Sequence, residues 1–140
     1  PAVLREEGIE LLFERIAVQP GKPTVFGVGE RAAIFGLPGN PVSTFVLFEL
    51  LVRPYLCRMM GGEHSPRRVR ARLGETMKRR KAERMSFRPA VLRSDGTVVP
   101  APYCGSAHIH AYVEANAMVA FPLGVRVMEE GTDIDVVVLE

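Results

Sequence analysis

The chain has 140 residues, of which 47% are hydrophobic and 24% charged, and a formal net charge of +2. This describes one globular domain or two small ones, and a charge so small requires no polyanionic partner. Two cysteines, Cys57 and Cys104, with no C-x-x-C spacing, argue against a disulfide scaffold or a thiolate zinc site and fit a reducing, cytoplasmic setting.

In chain order, PAVLREEG has neither the basic start nor the apolar run of a signal peptide. It also lacks a starting Met, which reads as a chain cut from a longer protein. Ala2 to Gly8 reads as the end of a helix closed by Gly8. Glu10 to Val18 is short, apolar and extended. QPGKP, Gln19 to Pro23, is a turn, and a type II turn at Pro20-Gly21 would leave Lys22 at its tip. Thr24 to Gly29 and Ala32 to Leu37 read as two buried strands around a polar turn at Glu30-Arg31.

Pro41 to Met60 is predicted to be one helix. Asn40 is a favoured N-cap, and Pro41 sits where a missing N–H costs nothing. Apolar residues cover most of its circumference, which predicts burial. Pro54 should kink it and Gly61-Gly62 should end it. Val42 to Val52 is too short to span a membrane.

GGEHSP, Gly61 to Pro66, marks a boundary, dividing the chain into residues 1–64 and 65–140. Beyond it come short β candidates: Val69–Leu73, Ser86–Leu92, Thr97–Val99, Ala117–Phe121, Val125–Met128 and Ile134–Leu139. Short strands between turn signals predict a small barrel or sandwich. His108 to Glu114 reads as a turn or two of helix.

Four places in this outline carry chemistry. GLPGNPVS, Gly36 to Ser43, is a glycine-bearing loop running into a helix N-terminus, which either binds an oxyanion or is simply a well-capped turn. Gly39 would let the backbone approach a ligand, and Ser43 would add a hydroxyl. Lys22, on its turn, is either an anion contact or an ordinary exposed lysine. Ten of the 18 Lys and Arg residues lie between Arg67 and Arg88. There, Arg68, Arg70 and Arg72 alternate with Val69, Ala71 and Leu73 as the outer face of a strand, and KRRK, Lys78 to Lys81, caps a solvated loop. Without interleaved aromatics the segment does not predict a nucleic-acid partner. Arg84 leads into a strand that would hold it in place. The pair His108 and His110 lacks a third donor, so no metal site is expected within the chain, and no general acid/base pair stands out.

PGKP, GLPGNPVS before an apolar helix, RMSF, and EANAMVAFPLGV occur in that order. With these motifs the chain resembles, over essentially all its length, the C-terminal part of the molybdopterin molybdenumtransferases, the MoeA family that includes the gephyrin E domain. The resemblance implies an α/β segment, the C-terminal part of the pterin-binding three-layer α/β domain, followed by a small all-β barrel-like domain. It implies insertion of molybdate into adenylylated molybdopterin with release of AMP, assisted by Mg2+ held mainly by upstream residues, in a cytoplasmic homodimer. Lys22, Pro23, Ser43 and Arg84 match the family's molybdate-contacting positions, beside the loop Gly39, Asn40 and Pro41. Lys22 and Arg84 would neutralise charge and Ser43 would donate a hydrogen bond. Gln19 stands where the family usually has a lysine, so one cation is lost or supplied from elsewhere. The family's upstream pterin-phosphate loop is not in the sequence, so these residues alone are expected to be inactive. A non-catalytic scaffold module of the same family is the other reading. The distance between Arg84 and Ser43 is left open, because the β domain is able to stand away from the α/β part.

Overall fold

A computed structural model describes residues 1–102 and 109–139. Cys104 and His108 therefore lie outside the described residues. The short helix α1 (Ala2–Glu6) ends at Gly8, whose φ of 77° is a left-handed value that suits glycine. β1 (Glu10–Phe13) and the hairpin β3 (Val25–Val28) and β4 (Ala33–Gly36) form a three-stranded antiparallel sheet with β3 at its centre. Its strands are mostly half-buried rather than buried as expected, since Tyr55 covers part of one face. The Tyr55 ring lies 5.2 Å from Phe35 and 6.1 Å from Phe26.

β2 (Val18–Gln19) is not part of this sheet and pairs in parallel with β7 (Met85–Leu92) of the second part, Val18 opposite Met85 and Gln19 opposite Ser86. The Gln19–Pro20 peptide is cis, which the type II turn reading did not include. Gly21 has a φ of 126°, and a Cβ there would sit 2.7 Å from Leu47 Cδ1. Only glycine allows the loop to lie this close to the helix that follows.

That helix is not one continuous α-helix. α2 (Pro41–Leu47) passes through a π turn at Phe48–Val52 into α3 (Arg53–Met59). The Arg53 N–H reaches back to the Phe48 carbonyl, five residues earlier. Pro54 explains this. Its ring would clash with the carbonyl four residues back, that of Leu50, and it has no N–H to offer. Widening the turn through Leu50 relieves both problems without a sharp break. The expected burial holds only for the first half. Val42, Val46 and Leu47 are fully buried, whereas Met59 and Met60 are 69% and 78% exposed.

The second part is a closed barrel of five strands: β5 (Arg68–Leu73), β7 (Met85–Leu92), β8 (Thr97–Pro100), β9 (Ala117–Phe121) and β11 (Asp133–Val138). The order β7-β8-β5-β11-β9 closes by pairing of β9 with β7, and only β5 and β8 run parallel. A ribbon of β6 (Met77–Lys78) and β10 (Val127–Met128) adds Met77 and Met128 to the core. Leu73, Val98, Val119, Phe121 and Val136 fill the interior. Ile109–Tyr112 forms a single turn of 3-10 helix within the stretch expected to hold one helical turn or two.

β9 shows why its sequence, AMVAF, is apolar without alternation. Ala117, Val119 and Phe121 point into the barrel, while Met118 and Ala120 join Phe87, Val137, Val42 and Val46 in a second apolar cluster outside it. A strand covered on both faces needs no polar positions. The same cluster seats α2 on the outer wall of the barrel. The two parts therefore share a core, and the β domain does not stand away.

Candidate functional site

The junction of the two parts forms a cleft of about 380 Å³, lined by Arg15, Ile16, Ala17, Lys22, Glu83 and Arg84. Two local structures build it. On one side the Lys22 carbonyl accepts from the N–H groups of Ile16 (3.1 Å) and Thr24 (3.0 Å). The Thr24 hydroxyl donates to the Gly21 carbonyl at 2.5 Å, and Gly21 rests on Leu47. The turn is thus folded on its own backbone, and exposed Lys22 and Pro23 stand at its rim. On the other side the β2–β7 pairing is extended by the Met85 N–H, which donates to the Ala17 carbonyl at 2.9 Å. This contact brings 15–17 beside 83–84, and so joins Lys22 and Arg84 in one cleft.

Three basic side chains, Arg15, Lys22 and Arg84, line this space with one carboxylate, Glu83. Such a wall favours an anion, most of all a tetrahedral oxyanion that can accept several charge-assisted hydrogen bonds at once. Arg15 was not singled out in the sequence. An arginine in a short extended run looks like any solvent-facing strand residue, and its place follows only from the parallel β2–β7 pairing. It supplies a third charge to the cleft wall.

Ser43 does not line this cleft. It is 5% exposed, and Asn40 Oδ1 accepts from its N–H at 3.2 Å and from its hydroxyl at 3.4 Å. Asn40 is therefore the N-cap, with Pro41 next in the first turn. The Thr44 hydroxyl also donates to the carbonyls of Pro38 (2.6 Å) and Asn40 (3.1 Å). At this helix mouth Pro41 has no N–H and that of Ser43 is engaged, so few donors face outward. Gly39 is exposed with open space around its α-carbon. Ser43 lies one helical turn before Leu47, the residue on which Gly21 rests. The cap and the Lys22 turn therefore sit at opposite ends of α2, and they share no wall of the cleft.

The basic segment divides by role. Arg68, Arg70 and Arg72 point outward from β5 as expected, and Arg70 pairs with Asp135 across β11 at 3.2 Å. KRRK is not wholly solvated: Arg79 is 9% exposed. Its guanidinium donates to the carbonyls of Val125, Arg84 and Pro122 and lies 5.2 Å from the Phe121 ring centroid. Burial, and then the nearby Arg88, lower its pKa from the ordinary arginine value. A guanidinium starts so far above neutrality that it stays charged.

A short hairpin-and-helix unit docked on a five-stranded barrel, with a cationic cleft at the seam, defines an α/β-plus-barrel protein. Two family models match it: residues 1–58 fit the "Probable molybdopterin binding domain", and residues 67–139 fit the "MoeA C-terminal region (domain IV)". The chain belongs to the MoeA family. Relatives called molybdopterin molybdenumtransferase are 34% identical in Staphylococcus aureus and 32% in Staphylococcus epidermidis, in each case over 100% of this chain and 34% of the relative. The crystal structure of a molybdopterin biosynthesis MoeA protein from Pyrococcus horikoshii superimposes with a TM-score of 0.80 at 34% identity, over 99% of this chain and 34% of that one. A molybdenum cofactor biosynthesis protein from Pyrococcus furiosus gives 0.76 at 30% identity, over 93% and 46%. The chain spans about a third of the length of the curated relatives it matches.

Proposed function

We propose that this chain carries the molybdate-holding part of a molybdopterin molybdenumtransferase, in which molybdate is inserted into adenylylated molybdopterin with release of AMP. The observation that carries this reading is the meeting of Lys22 and Arg84, from separate parts of the chain, in one cleft with Arg15. Molybdate is a tetrahedral dianion. Lys22 contributes a point charge from the turn, and Arg84 a planar fork from the start of β7. Between them they hold the oxyanion in one place and orientation, and positioning of this kind is the part of catalysis these residues supply. Pro23 stiffens the rim beside Lys22. Ser43 and the loop Gly39, Asn40 and Pro41 form the neutral arm of the proposal, acting through α2 on the Lys22 turn.

A divalent cation is not assigned to this chain. Among the described residues no three His, Cys, Asp or Glu side chains converge as ligands would, and Glu83 is the cleft's one acid. The Mg2+ of the family reaction, the adenylylated pterin and a homodimeric partner belong to the larger protein in this reading. Among the described residues no helix is long and apolar enough to cross a membrane.

Calorimetric titration with molybdate tests the proposal. The 140-residue chain is expected to bind molybdate but not to form cofactor from adenylylated molybdopterin. Lys22→Ala should weaken binding about tenfold, as loss of a charge-assisted contact does. Ser43→Ala should weaken it less and act mainly on stability through the cap. Unchanged affinity in Lys22→Ala, or turnover by these residues alone, contradicts the proposal.

A further inference from the structure

The backbone of Arg84 is held by a residue outside the cleft. Arg79 Nε donates to the Val125 carbonyl at 2.6 Å, Nη1 to the Arg84 carbonyl at 2.6 Å, and Nη2 to the Pro122 carbonyl. The backbone repeats the connection: the Arg79 N–H donates to the Arg126 carbonyl at 2.9 Å and the Gly124 N–H to the Ala82 carbonyl at 2.8 Å. Segment 79–84 is thereby fastened to segment 122–126 at one end of the barrel.

One of the three carbonyls belongs to Arg84 itself. The N–H of the same peptide unit, on Met85, donates to Ala17, which lines the cleft. The plane between Arg84 and Met85 is thus held from both sides, by Arg79 through its oxygen and by the cleft wall through its N–H. The Arg84 side chain leaves the backbone directly beside this plane. We propose that Arg79 is a positioning residue for the anion cleft: it fixes the direction of Arg84 and touches no substrate. This rests on the reading of the cleft as an anion site. Only arginine presents a fork that reaches three carbonyls at once, so lysine is not an equivalent.

The test measures molybdate affinity by calorimetry for Arg79→Met in two backgrounds, wild type and Arg84→Ala. With Arg84 present, Arg79→Met should weaken binding about tenfold, since a displaced contact costs most of its value. With Arg84 already removed, it should change affinity less than about twofold, because the route by which Arg79 acts is gone. Arg79→Lys, which keeps the charge and at least one carbonyl contact, is the variant expected to fold most readily and should show the same dependence on background. General structural damage would instead weaken binding equally in both backgrounds, and that result overturns the inference, as does unchanged affinity with Arg84 present. An affinity unmoved by Arg84→Ala alone overturns the anion-site reading, and the inference with it.

Discussion

Phe121→Ala is expected to lower stability by about 4 kcal/mol, the usual cost of emptying a fully buried aromatic position. Phe121 is completely buried in the barrel core and is flanked by two guanidiniums, with Arg79 5.2 Å and Arg88 5.1 Å from its ring centroid. Truncation would leave a cavity and also remove the surface on which both cations rest. For a chain of this size the melting temperature should fall by about 10–15 °C. Phe121→Leu, which keeps most of the volume, should lose less than half as much. Thermal denaturation followed by circular dichroism checks both. A change below about 1 kcal/mol for Phe121→Ala would mean that the barrel does not close over this ring.

Arg84→Glu is expected to weaken molybdate binding on the order of 100-fold while leaving the fold intact. It removes one charge-assisted contact worth about 1.5–3 kcal/mol and places a carboxylate beside the dianion. The structural duties at this position are carried by the backbone. The Arg84 carbonyl accepts from Arg79, and the next N–H donates to Ala17. The melting temperature should therefore stay within about 2 °C of wild type, as for a surface substitution. Titration at two ionic strengths adds a check, since attraction in an open cleft weakens as salt rises. Equal affinity for the variant and the wild type would remove Arg84 from the site.

The strands of the barrel were largely legible in the sequence, because each buries at least one face. The pattern RVRARL in β5 alternates between solvent and core, and AMVAF in β9 lacks alternation because α2 covers its outer side. The N-cap at Asn40 was legible too, since its chemistry is local. These elements left barrel and sandwich both open, and the α/β-plus-barrel class came from the resemblance to the MoeA family. What stayed hidden depends on contacts distant in sequence. The two-residue strands β2 and β6 carry no periodicity of their own, yet β2 joins the two parts. The π turn follows from a clash between Pro54 and Leu50 that a kink would have relieved equally well. Docking of α2 on the barrel needs Phe87, Met118 and Val137, none adjacent to it in sequence.

The site follows the same division. Lys22 and Arg84 were visible through motifs, but their meeting depends on the β2–β7 pairing. Arg15 and Arg79 were missed for opposite reasons. Arg15 sits in an unremarkable extended run and gains its place from that pairing. Arg79 lies within KRRK, where charge density suggests solvent, but carbonyls from two other segments receive it.

Diffraction from crystals soaked in tungstate, a heavy tetrahedral oxyanion of the same charge as molybdate, tests most directly whether the cleft between Lys22 and Arg84 holds the anion. An anomalous peak is expected in the cleft, within hydrogen-bonding reach of the Lys22 ammonium and the Arg84 guanidinium, and should disappear in Arg84→Glu. A peak confined to the Asn40–Ser43 turn, or a cleft that stays empty at concentrations saturating binding in solution, would contradict it.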